Sequence, residues 1–246
     1  MHTLAYTIIA TIIVSLLSLL GIITLILNRK VLKKILLLLV GLSAGAMLGG
    51  AFFHLIPESL IRCNIENLML NVLIGFVLFL IIEKILHWRH CHKDDCEVHT
   101  FAHMNLIGDA AHNFIDGLII ASAFVADFHL GIVTTIAVAL HEIPQEIGDF
   151  GVLVHGGYKT KKALMLNFGI ALTAILGGII GFFIADQTEM ALNFLLPFAA
   201  GGFLYIAASD LIPEIRKEKN TLKSTLSLTV FLVGIALMYL LKFLMG

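Results

Sequence analysis

The sequence predicts an all-α, polytopic membrane protein of eight transmembrane helices, arranged three, two and three with an inverted repeat between the outer triplets. Three observations predict this. The chain is 59% hydrophobic and only 13% charged, with a mean hydropathy of +0.99, whereas a soluble domain averages about 45–50% apolar and about 25% charged residues. The apolar residues fall into runs of about 20, the length that crosses a bilayer. Finally, Gly45 to Glu58 (GAMLGGAFFHLIPE) returns as Gly201 to Glu214 (GGFLYIAASDLIPE) at a constant offset of 156 residues.

Polar breaks place the helices near 4–27, 34–56, 67–87, 101–125, 130–154, 163–185, 190–212 and 223–245. The first run exceeds the h-region of a signal peptide, starts with no basic segment and is followed by Arg29 and Lys30. It reads as a retained span. The second carries Gly41, Gly45 and Gly49, a small-residue ridge that lets another helix approach closely. The fourth and fifth contain the ionisable residues. The seventh carries the second repeat copy and the eighth closes the chain. Residues 1–246 read as one transmembrane domain with little room for a soluble one. A net charge of -1 argues against nucleic acid as a partner. Cys63, Cys91 and Cys96 do not suggest a disulfide framework.

Basic residues set the expected orientation. Arg29, Lys30, Lys33 and Lys34 follow the first helix, and Lys84, Arg89 and Lys93 surround the third-to-fourth loop. Lys159, Lys161 and Lys162 follow the fifth, and Arg216, Lys217, Lys219 and Lys223 follow the seventh. These make up fourteen of the 16 Lys and Arg; only Arg62 and Lys242 lie elsewhere. By the positive-inside rule the four basic loops are cytoplasmic and both termini extracytoplasmic. The expected location is the plasma or inner membrane, with the lipid bilayer as a partner. The first repeat copy then runs outward and the second inward. Such inverted repeats typify secondary transporters, whose sites lie near the midplane.

The fourth and fifth helices contain His112-Asn113-Phe114-Ile115-Asp116 and His141-Glu142-Ile143-Pro144-Gln145-Glu146. An Asp at a helix centre costs roughly 2.5–3.5 kcal/mol on insertion. Asp116, Glu142, Glu146 and Asp149 together therefore demand something polar: a cation, a watery path or mutual pairing. His112 and Asp116 share one helical face, as do His141 and Gln145, and Glu142 and Glu146. Two facing helices of this kind can surround a divalent cation with imidazole and carboxylate donors. The alternative is a hydrogen-bonded network tying the bundle together, but clustered intramembrane ionisable residues favour metal handling. Asn113 has two readings, amide ligand or interhelical hydrogen bond. Met47 offers a soft thioether, although a mid-span Met is more often packing. Pro144 cannot donate a hydrogen bond and displaces the Leu140 carbonyl, leaving that oxygen as a possible extra ligand or water anchor.

The third-to-fourth loop, residues 88–100, contains His90, Cys91, His92 and Cys96. Its spacing is not that of a structural zinc module, and a weak, exchangeable metal-binding segment fits it better. His54 and Glu58 occupy the same repeat positions as Asp210 and Glu214. They read as interfacial polar residues, with the two mouths of a path as the alternative.

His112-Asn113-x-x-Asp116-Gly117 and His141-Glu142-x-Pro144-x-Glu146-x-Gly148-Asp149 resemble the fourth- and fifth-helix signatures of the ZIP (Zrt-, Irt-like) metal transporters. The subfamily with His-Glu-x-Pro-His-Glu-x-Gly-Asp is the most similar. The resemblance extends over almost the whole chain. It implies transport of divalent transition metal, chiefly zinc, with iron, manganese, cobalt and cadmium as alternatives, into the cytosol. The metal is substrate and no cofactor is expected. The implied first ligands are His112, Asp116, His141 and Glu142, with Asn113, Gln145, Glu146 and Met47 as further candidates. A homodimer is implied as well, in which a transport domain moves past a scaffold. The chain departs from the subfamily at Gln145, where His is usual, and at Asp116, where Glu is common in the wider family. An amide is the weaker donor, so metal preference is expected to depart at Gln145. An intramembrane zinc metallohydrolase is the alternative function, but His141-Glu142-x-x-Gln145 lacks the second His of His-Glu-x-x-His. A six-span exporter with a cytosolic domain does not match the span count.

Overall fold

The computed structural model describes residues 2–88, 98–155, 157–187 and 189–245. Among these residues the chain is helical almost throughout and contains no strand. The eight long helices are α1 (His2–Ile26), α2 (29–62), α3 (Ile65–Trp88), α4 (Val98–Ala126) and α5 (Phe128–His155). They continue with α6 (Thr160–Gln187), α7 (Glu189–Arg216) and α8 (Thr221–Met245). Among the described residues six, all but α4 and α5, are long and apolar enough to cross a membrane. α4 and α5 have 29 and 28 residues and carry the buried carboxylates.

Local chemistry explains where several helices start. Asn28 Oδ1 accepts from Val31 N at 3.0 Å, and Asn64 Oδ1 accepts from Asn67 N at 2.8 Å. Asp127 Oδ1 accepts from His129 N at 2.8 Å and Leu130 N at 3.0 Å. Asn220 Oδ1 accepts from Lys223 N at 3.1 Å. Each cap satisfies an orphan N–H and contributes about 1 kcal/mol.

Two helices run further than their composition suggests. The expected ends near residues 56 and 212 fall just before Pro57 and Pro213, yet α2 continues to Arg62 and α7 to Arg216. Each proline is preceded by a π-helical segment, Ala51–Leu55 and Ile206–Leu211. A proline ring clashes with the carbonyl four residues back, Phe53 or Ser209 here. Widening the turn makes room for the ring, and the proline opens a fresh α segment, where its missing N–H does no harm. The same device stands at both copies of the repeat, so the likeness of the two sequences is a likeness of backbone.

Packing extends that symmetry to the central pair. α2 lies along α8, α3 along α7 and α4 along α6, while α5 packs on α1, α2 and α4. A Cβ at Gly45 would lie 2.0 Å from the Phe231 carbonyl oxygen of α8, and one at its mate Gly201 would lie 2.1 Å from that of Val72 in α3. Gly21 and Gly177, again 156 apart, each receive a central helix: a Cβ would meet Phe150 of α5 at 2.5 Å and the Phe114 carbonyl oxygen of α4 at 2.0 Å. Ser15 Oγ donates to the Ala171 carbonyl at 2.7 Å. Residue 171 is the repeat mate of residue 15, so the pseudo-two-fold axis passes through this contact. Exchange about that axis relates α4 on α6 to α5 on α1.

These close approaches make a stability prediction. Gly45→Val is expected to destabilise the fold by about 3 kcal/mol or more, because backbone rather than a flexible side chain must yield. A clear fall in the thermal unfolding midpoint of detergent-solubilised protein checks it. An unchanged midpoint would contradict the α2–α8 contact.

Candidate metal centre

A single residue, Asp127, separates α4 from α5, so the two helices run antiparallel and side by side. This brings His112 and Asp116 opposite His141 and Glu142, with one ligand atom from each within 4.8 Å of the others. His112 Nε2 lies 3.1 Å from His141 Nε2, 3.6 Å from Asp116 Oδ2 and 3.3 Å from Glu142 Oε1. His141 Nε2 lies 3.1 Å from Asp116 Oδ2 and 3.5 Å from Glu142 Oε1. Nitrogen and oxygen donors at about 2.0–2.1 Å from a tetrahedral zinc stand about 3.3–3.4 Å apart. The observed separations bracket that edge length.

The protonation pattern points the same way. His141 Nδ1 lies 3.2 Å from the Ala137 carbonyl oxygen. Donation there fixes the tautomer and leaves Nε2 as a bare lone pair, the usual arrangement of a metal-bound imidazole. Both oxygens of Asp116 and both of Glu142 are buried without a hydrogen-bond donor. A hydrogen-bonded network of structural purpose would satisfy such atoms. One donor atom from each of the four residues, all within 4.8 Å of one another, suits a divalent cation instead.

The other candidates divide. Asn113 Nδ2 donates to Asp109 Oδ1 at 2.8 Å and to the Asp109 carbonyl at 3.1 Å. Gln145 Nε2 donates to the same Asp109 Oδ1 at 3.3 Å. Asp109 thus gathers both amides. Sequence reasoning passed over it, although it lies one turn before His112 on the same face. Asn113 Oδ1 remains buried without a donor, while Gln145 is turned to Asp109. Glu146 faces away, toward α6: its Oε2 accepts from Asn167 Nδ2 at 2.6 Å. Met47 is fully buried in the core cluster that includes Ala137, Phe203 and Met238. The loop candidates His90, Cys91, His92 and Cys96 lie outside the described residues.

The Leu140 carbonyl displaced by Pro144 has a neighbour on α2. Ser43 Oγ lies 2.5 Å from it and 2.7 Å from the Leu39 carbonyl, and its one proton serves one of the two at a time. A carbonyl oxygen has two lone pairs, so this neighbour does not use up its capacity as a ligand or water anchor.

Access to the centre is one-sided. His112 keeps 19% side-chain exposure, whereas Asp116, His141 and Glu142 keep 1% or less. Gln145 and Asp149, further toward the basic loops, are part-exposed, and Ser209 and Asp210 are exposed. On the opposite side Ile119, Ile120, Val133, Ala137 and Phe203 are buried. A separate cavity of about 190 Å³ at that far face is lined in part by His54, Glu58, Asp127 and His129. There His54 Nε2 is engaged with the Met238 carbonyl at 2.9 Å. Arg62 holds Glu58 at 2.6 Å and donates to the Ala126 carbonyl at 3.0 Å. At the other end Glu214 pairs with Lys217.

Comparison with known proteins gives a consistent result. The family model described as ZIP Zinc transporter matches residues 1–99 and 89–242. The chain is 42% identical over 151 residues to zinc transporter zipt-7.2 of Caenorhabditis elegans, covering 60% of this chain and 33% of that one. It is 32% identical over 219 residues to zinc transporter ZIP13 of Pongo abelii, covering 82% and 65%. Against zinc transporter YKE4 of Saccharomyces cerevisiae it is 30% identical over 241 residues, covering 82% and 70%. The chain therefore spans between a third and about two thirds of the length of these relatives. Family match, helical membrane fold and metal-ligand geometry converge: the chain belongs to the ZIP zinc transporter family.

Proposed function

We propose that this chain moves a divalent transition metal, zinc first, across the membrane through the centre between α4 and α5. The observation that carries this reading is the convergence of His112, Asp116, His141 and Glu142, with five of their six donor separations at 3.1–3.6 Å and all within 4.8 Å, and with four carboxylate oxygens lacking donors. The names of the similar proteins support zinc as the substrate. Asn113 is a further donor, while Met47, Gln145 and Glu146 shape the surroundings. The basic loops, cytoplasmic by the positive-inside rule, lie on the side toward which the site is part-exposed. This supports an inward-facing state with release into the cytosol. Family likeness supports a homodimer, which the mass of the detergent-solubilised particle tests.

Zinc uptake into proteoliposomes of known protein orientation tests the function directly. Uptake saturable in zinc supports the proposal; zinc binding without flux, with turnover of a peptide or lipid substrate, would support the hydrolase alternative. Two further outcomes follow. Neutral imidazoles and ionised carboxylates are needed for ligation, so zinc binding is expected to weaken steadily from neutral pH to about pH 5, with protons released on binding. Isothermal titration in buffers of different ionisation enthalpy checks both. Gln145→His adds an imidazole one turn from His141 and is expected to favour zinc over manganese by about tenfold more than the parent does. A metal-competition series reads this out.

A further inference from the structure

α2 and α5 are tied together at Ser43 and Leu140, and below that bond, toward the basic loops, a wedge-shaped cavity of about 660 Å³ separates them. That volume lies within the roughly 300–1,000 Å³ of small-ligand sites. Its inner wall is apolar, made by Leu37 and Val40 of α2 with Pro144 and Gly148 of α5. Gly148 faces open space, and a Cβ there would meet no atom within 4 Å. The rim is charged. Lys34 stands at the start of α2, Lys217 beyond α7 and Lys223 at the start of α8. Lys217 is paired with Glu214, and Glu218 accepts from the Asn220 amide at 2.8 Å within the α7–α8 turn. Among the described residues no carboxylate lies within ion-pairing distance of Lys34 or Lys223. Both are exposed.

An apolar slot between membrane helices, topped by two uncommitted ammonium groups, matches a lipid with a hydrocarbon tail and an anionic headgroup. A soluble anion would leave the apolar wall unfilled, and a neutral lipid would leave the lysines unused. We propose that this wedge binds one anionic phospholipid from the leaflet beside the basic loops. Its acyl chain lies on Leu37, Val40, Pro144 and Gly148, and its phosphate sits between Lys34 and Lys223. The site is distinct from the metal centre and does not depend on the transport reading. A lipid here would occupy the seam between α2 and the metal-carrying α5.

Native mass spectrometry of the purified full chain, titrated with phosphatidylglycerol, phosphatidylcholine or glycerol phosphate, tests the proposal. The expected result is one phosphatidylglycerol retained per chain in preference to phosphatidylcholine, and no retention of glycerol phosphate. Each lysine near the surface strengthens anionic-lipid binding by about fivefold, so Lys34→Gln with Lys223→Gln is expected to weaken it about 25-fold. Gly148→Phe fills the slot without changing charge and is expected to abolish retention. Lys161→Gln with Lys162→Gln, on a different loop, is expected to leave it unchanged. Equal retention of both lipids, retention undiminished in the Lys34/Lys223 variant, or glycerol phosphate binding as well as lipid would each overturn the proposal. Thermal midpoints of the variants show that they remain folded, and the lysine pair decides the matter should Gly148→Phe misfold.

Discussion

Asp116→Ala and His141→Ala are each expected to lower zinc affinity by at least about a hundredfold. A four-ligand zinc site releases roughly 10–16 kcal/mol on assembly, so one ligand accounts for a few kcal/mol of it. The two substitutions also separate a metal centre from a structural network. Asp116 is fully buried, and neither of its oxygens has a hydrogen-bond donor. Without metal the buried carboxylate has only the imidazoles of His141 at 3.1 Å and His112 at 3.6 Å beside it, and removing it relieves a desolvation penalty. The metal-free Asp116→Ala protein is therefore expected to melt at or above the parent midpoint. Saturating zinc stabilises the parent by about 2.7 kcal/mol when its concentration is a hundred times the Kd, and the variant is expected to lose that increment at the same zinc concentration. A network that merely tied α4 to α5 would show the reverse: a lower midpoint without metal and no change in the response to zinc.

The second large effect concerns folding. Asn167→Leu is expected to destabilise the protein by about 2–4 kcal/mol, because it strands a carboxylate where no water can reach it. Glu146 and Asn167 are both fully buried. Asn167 Nδ2 donates to Glu146 Oε2 at 2.6 Å and lies 3.4 Å from the carbonyls of Glu146 and Ser18. One amide thus joins α6 to α5 and α1. Replacing both partners, Glu146→Leu with Asn167→Leu, removes the stranded polar group and is expected to restore most of the loss. Thermal unfolding in detergent measures both proteins. A double variant as unstable as the single would place the defect in packing rather than in the unpaired carboxylate.

The parts of this structure legible in the sequence are those written in local periodicity. Eight apolar runs and the i,i+4 pairing of His112 with Asp116 both follow from residues a few positions apart. The constant 156-residue offset exposed the repeat. What stayed hidden depends on partners distant in the chain. The expected helix ends fall just before Pro57 and Pro213, and only the widened turn before each shows that the helix continues. The approach of Ser43 to the Leu140 carbonyl joins residues 97 apart in the chain. Gln145 Nε2 donates to Asp109, 36 residues earlier on the facing helix, a contact that its spacing to His141 does not show. The role of Asn167 as the partner of Glu146 emerges only when α5 and α6 are brought together.

The central claim is that one zinc is held by His112, Asp116, His141 and Glu142. X-ray absorption spectroscopy of the full chain loaded with no more than one zinc per molecule tests it most directly. The account predicts a single shell of about four nitrogen and oxygen scatterers at about 2.0–2.1 Å, with the outer-shell pattern of two imidazoles, lost on His141→Ala. A sulfur shell at about 2.3 Å, placing the metal on Cys91 and Cys96, or a spectrum unchanged by His141→Ala, would contradict it.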